Sequence, residues 1–140
     1  MTLTILGKGD FKEEDIIGTL WTVGTHEHDA DSYFEYHGIE YKNRQMIREI
    51  SDKVKKLGLP LNNSVSIMLA EAYIQGFTKI RILGCSMEFT EEYITQARSV
   101  AYTVGFLVSK GLFVEWYDSK LDFENIYPYC IDNKDKYIVL

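Results

Sequence analysis

Short apolar runs closed by glycine recur along the chain, and longer stretches with helical spacing separate them. Thr2–Leu6 stops at Gly7-Lys8-Gly9-Asp10, Leu20–Val23 at Gly24, Tyr33–His37 at Gly38 and Lys79–Leu83 at Gly84, and Leu112–Tyr117 is a fifth run. Runs of this length and bounding predict β-strands. Lys42–Leu57 brings Met46, Ile50, Val54 and Leu57 to one helical face and ends at Gly58-Leu59-Pro60. Asn63–Gln75 opens on a cap drawn from Asn62, Asn63 or Ser64, buries Val65, Met68, Leu69 and Ala72, and ends at Gly76. The longest helix is predicted over Thr90–Lys110, with Tyr93, Ile94, Ala97, Val100, Ala101, Val104 and Val108 as its stripe and Gly111 as its stop. Phe11–Ile16 reads as one helical turn or two.

The resulting order, β-α-β-(α)-β-α-α-β-α-β, predicts a single α/β domain over residues 1–140. Right-handed crossovers make it a compact Rossmann-like three-layer fold with a mostly parallel sheet of five or six strands. After Tyr117 the pattern breaks into a C-terminal extension, 118–140. Its apolar end, Tyr137–Leu140, is expected to form an edge strand or to dock on a neighbouring subunit of a homo-oligomer.

Composition narrows the class. The 140 residues are 46% hydrophobic and 26% charged, an ordinary globular balance. No apolar run approaches the roughly 20 residues that span a bilayer, and the opening MTLTILGKGD meets Gly-Lys-Gly too early for a signal peptide. Two cysteines, Cys85 and Cys130, are too few for a disulfide framework. The expectation is a reduced cytoplasmic protein with no membrane contact. Fifteen basic against 21 acidic side chains, a formal −6, argue against a footprint on duplex nucleic acid. A small anionic ligand stays open, because backbone amides and helix N-termini hold phosphate in acidic proteins. Ten tyrosines suit base stacking, a subunit interface or a core near the surface.

In an open parallel sheet the ligand sits beyond the carboxyl ends of the strands. That directs attention to Gly7-Lys8-Gly9, Gly24-Thr25-His26, His37-Gly38 and Gly84-Cys85-Ser86-Met87, and to the cap at Asn63-Ser64. Gly7 and Gly9 allow a tight turn against a phosphate and Lys8 a charge, although Lys12 stands where a dinucleotide fingerprint has its third glycine. All three histidines, His26, His28 and His37, follow the second strand, with Asp29 and Asp31 between them. Imidazoles and carboxylates at this spacing could ligate a metal, and the run superficially resembles the His-x-His-x-Asp-His of metallo-β-lactamase-type hydrolases, but Ala30 replaces its aspartate, Asp31 its last histidine, and no later histidine completes a site. No metal and no cofactor is expected; hydrogen bonding to a ligand by His26 or His37 is. Cys85 lacks the neighbours of a nucleophile, whereas Ser86 is placed as a donor. Tyr93, Gln96 and Arg98, early on the long helix, are candidates for stacking on a base and contacting a phosphate; packing and solvation are their other reading.

The stretch Pro60–Ala72, continued by Gly76–Met87, resembles small Rossmann-like proteins of bacteriophages. Glu92-Tyr93, Gln96, Asp31–His37 and Gly7-Lys8-Gly9 extend the likeness in the same order. A more distant likeness is to sialyltransferase-type Rossmann domains, which bind a nucleotide sugar behind a similar opening loop. The phage family carries Gly-x-Asp-Met after its fourth strand, and here Ser86 takes the place of the aspartate. The resemblance implies binding rather than acid–base chemistry. It suggests a phage anti-defence sponge that sequesters a nucleotide-derived immune signal, cyclic or ADP-ribose-type, in the host cytoplasm without turnover. Two other classes stand beside it: an enzyme acting on a nucleotide or nucleotide sugar through the His26–Asp31 segment, and a structural or protein-inhibiting phage factor.

Overall fold

Six parallel strands lie in the order β4-β3-β2-β1-β5-β6. The computed structural model describes residues 1–85 and 91–117. The strands are β1 (Thr2–Leu6), β2 (Thr19–Val23), β3 (Ser32–Glu35), β4 (Arg44–Met46), β5 (Lys79–Leu83) and β6 (Phe113–Trp116); the helices are α1 (Ile47–Val54), α2 (Ser64–Gln75) and α3 (Glu91–Ser109). The expected α/β, Rossmann-like architecture is present. The described strand not foreseen is β4, and the predicted edge strand or subunit contact at 118–140 lies outside the described residues.

The order runs outward from β1 in both directions, so the chain reverses its progress between β4 and β5. Right-handed crossovers then put the connections on either side of that reversal on opposite faces. The side chains agree. One core joins Leu3, Ile5, Trp21, Phe34, Ile80, Ile82 and Val114 of the sheet to Ile50 and Val54 of α1, Met68 and Leu69 of α2, and Val104 and Leu107 of α3. On the other face Leu6, Leu20 and Leu83 are covered by Phe11, Ile16, Ala30 and Tyr117. There the β1–β2 connection is tied to the sheet by Thr4, whose hydroxyl donates to the carbonyl of Ile17 and accepts its amide, at 2.6 and 2.9 Å.

The turn predicted at Phe11–Ile16 is present as a 3-10 turn at Glu13–Asp15. Three local readings are corrected. No helix stands between β2 and β3. Crossovers between parallel strands ordinarily need a dozen residues or more; segments 24–31 and 36–43 manage with fewer because β3 and β4 have only four and three residues to climb back over. The third strand stops at Glu35 rather than His37, because the Glu35 carboxylate accepts the amides of His37 and Ile39 at 2.6 and 2.9 Å and turns the chain. The helix predicted over Lys42–Leu57 begins only at Ile47. Asn43 takes a left-handed φ of 48°, and Arg44–Met46 pair with Tyr33–Glu35 as β4. Ladder bonds along an open strand edge outweighed a helical period that only Ile50 and Val54 fill with buried side chains. Among the described residues no helix is long and apolar enough to cross a membrane.

Candidate functional site

The strand order reverses between β1 and β5, and over their carboxyl ends opens a cleft of about 1110 Å³. Its floor is a glycine contact. The Gly7 amide donates to Leu83 and the Gly9 amide to Gly84, both at 2.8 Å. A Cβ on Gly7 would stand 2.4 Å from the Gly84 carbonyl oxygen, and one on Gly9 would stand 2.7 Å from it. These glycines therefore let two backbone turns touch. Both line the cleft, and their amides are bonded to Leu83 of β5 and to Gly84 after it rather than offered to a phosphate. What the turn does present is Lys8, exposed, its Nζ reaching to 3.7 Å from the Cβ position of Gly24. No carboxylate among the described residues pairs with it.

The far walls come from four elements. Gly24 and Thr25 close β2, and the loop after β3 contributes Glu35, Tyr36, His37 and Ile39. From α1 come Arg48, Ser51 and Asp52, and Asn62–Val65 bring the N-terminus of α2. Asn63 caps that helix: its side-chain oxygen accepts the Ser66 amide at 3.0 Å, and its Nδ2 reaches the Gln96 carbonyl of α3 at 3.3 Å. Ser64 and Val65, whose amides no helical carbonyl can reach, line the cleft. The two carboxylates are already occupied. Asp52 faces Lys55 at 3.4 Å. Burial pushes the Glu35 carboxyl up, but the amides of His37, Ile39 and Gly38 outweigh it and hold the group below the usual glutamate range. In a chain of net charge −6, the cleft presents the cations Lys8 and Arg48.

The sequence candidates separate on this geometry. Gly7, Lys8, Gly9, Gly24, Thr25, His37, Asn63, Ser64 and Gln96 meet around one cavity. Arg98 is exposed on α3 and does not line it. Ser86 and Met87 lie outside the described residues, as does the side chain of Tyr93. His26 sits behind the Gly7 turn. Its Nδ1 accepts the His28 amide at 3.0 Å, which assigns the ring hydrogen to Nε2, 3.1 Å from the Gly7 carbonyl oxygen. His26 thus braces the turn rather than facing a ligand.

The remaining members of the histidine segment are likewise engaged. His28 meets two acceptors, Glu13 Oε1 at 2.6 Å and the Asp29 carbonyl at 2.7 Å, so both ring nitrogens donate. The Glu13 hydrogen bond, followed by that to Asp29, raises its pKa. Asp29 pairs with Lys42 at 2.5 Å, and Asp31 accepts the Leu20 amide at 2.8 Å. No group of three or more metal-ligating side chains occurs among the described residues. Cys85 is buried, and burial pushes its thiol up to about 12.

Sequence reasoning missed Glu35, Tyr36, Ile39 and Arg48. The available signal was a carboxylate directly before a Gly-containing turn, a pattern that wraps backbone amides around it; Arg48 reads as a solvated helix charge until β4 displaces the start of α1. No protein-family model, curated protein or solved structure matches this chain.

Proposed function

We propose that this protein is a binding module that takes a phosphate-bearing, nucleotide-derived ligand into the cleft and holds it without turnover. The observation that carries the reading is the shared cleft of the Lys8 ammonium, which no carboxylate among the described residues pairs, and the N-terminus of α2, over the strand ends where the order reverses. A helix N-terminus and a flexible ammonium complement phosphate oxygens by dipole and by charge. Arg48 adds a second cation to the same cavity.

Capture rather than catalysis is supported by the engagement of His26, His28, Asp29 and Asp31 in bracing loops, and by a Cys85 thiol held far from its reactive thiolate. The resemblance to phage proteins extends the reading to sequestration of an immune signal. A direct test incubates the full chain with cyclic and ADP-ribose-type nucleotides, removes unbound material, denatures the protein by heat and chromatographs what is released. Intact nucleotide supports capture. A chemically altered one makes the protein an enzyme, and no retained nucleotide removes the binding reading.

A further inference from the structure

The loop that follows β3 has a feature the phosphate contacts do not use. Of the large apolar side chains that the described residues leave exposed, Tyr36 at 51% and Ile39 at 53% both stand on it, and both line the cleft. Exposed apolar side chains set in a polar-rimmed cleft are the mark of a ligand-binding groove. The loop is held in shape from within, because the buried Glu35 carboxylate binds the amides of His37 and Ile39. Tyr36 is further positioned by the Arg48 guanidinium, 5.4 Å from its ring centroid, and by the His37 ring at 5.4 Å. The cleft thus has an aromatic platform fixed before any ligand arrives.

Its place beside the cationic end fits one class of ligand. The Lys8 ammonium leans over the end of β2, 3.7 Å from the Cβ position of Gly24, and β3 is the next strand, about 4.8 Å away. A phosphate held by that ammonium and an aromatic surface one strand over match the phosphate and the base of a single nucleotide. We infer that the cleft takes a nucleotide, with its phosphates at Lys8 and the α2 N-terminus and its base against Tyr36. The inference rests on the reading of the cleft as a phosphate-holding site and adds what makes it prefer a nucleotide over a bare phosphate.

The two ideas separate by calorimetric titration of the full chain with ADP and with inorganic pyrophosphate. The wild-type protein is expected to bind ADP at least about tenfold more tightly than pyrophosphate, the worth of one base on one aromatic ring. Tyr36→Ala should bring that ratio towards one, and Tyr36→Phe, which keeps the ring, should preserve it. If pyrophosphate binds as well as ADP, or the preference survives Tyr36→Ala, the base platform is wrong while phosphate capture stands. If neither probe binds, both readings fall.

Discussion

Gly7 and Gly105 show how differently two glycines of one chain are constrained. An added methyl on Gly7 collides with backbone on the neighbouring turn, where no side chain can move aside, whereas Gly105 is exposed within α3 with nothing within 4 Å of its Cβ position. Gly7→Ala is expected to lower stability by about 3 kcal/mol in urea unfolding, and Gly105→Ala to raise it by about 0.5–1 kcal/mol. His28 carries a second residue-level prediction. Its folded pKa lies above its ordinary value through the Glu13 and Asp29 contacts. Its stabilising contribution is therefore complete below the unfolded value, near 6.5, and disappears as pH rises through the folded value. Melting temperatures should fall between pH 6 and pH 8.5 by more in the wild type than in His28→Gln. Equal slopes would show that the Glu13 contact does not persist in solution.

Among the elements, β5 and β6 are joined by charge as well as by their ladder. Glu115 of β6 is 5% exposed and accepts from Arg81 Nε at 2.6 Å, with Lys79 Nζ at 3.3 Å. Arg81 in turn donates to the Asp15 carbonyl at 2.9 Å and covers the Tyr117 ring at 4.5 Å. Burial pushes the Glu115 carboxyl up, but Arg81 and then Lys79 hold it below its usual range. Glu115→Gln should cost about 2 kcal/mol at pH 7, because it leaves Arg81 poorly paired in a half-buried place. The sign with pH is opposite to that of His28: the contribution is present above the unfolded carboxyl value and is lost as pH falls through the folded one. The gap between variant and wild type should therefore narrow in acid, as read by urea midpoints. Much of this element scale is legible in the residues themselves. The Gly-bounded runs at Thr2–Leu6 and Lys79–Leu83 became β1 and β5 with the same limits, and α2 differs from expectation by its cap residue alone. β4 was not legible, since Arg44-Gln45-Met46 has no alternation and becomes a strand only because the β3 edge is there to receive it.

For the whole molecule, the consequence of the reversal at β1 and β5 is that loops from four strands and the first turns of two helices converge on one cleft. Saturating ADP should raise the melting temperature of the intact protein by mass action. In Lys8→Ala that rise should shrink, with affinity reduced about tenfold to a hundredfold if the contact is charge-assisted. Arg98→Ala, on an exposed stretch of α3 away from the cleft lining, should leave it unchanged. An equal loss in both variants would mean that net charge rather than the cleft governs binding.

Taken alone, the chain determined the class of fold and the end of the sheet at which the cleft opens. Glycine stops and 3.6-residue periods are local quantities, and right-handed crossovers convert them into a parallel sheet with its loops at one end. What each loop residue does was decided by tertiary contact. Whether an imidazole nitrogen, a carboxylate or a glycine amide is free depends on which acceptor or donor the fold brings within 3 Å of it. His26 against Gly7, Glu35 against the amides after it and Gly9 against Gly84 are partnerships no spacing along the sequence specifies.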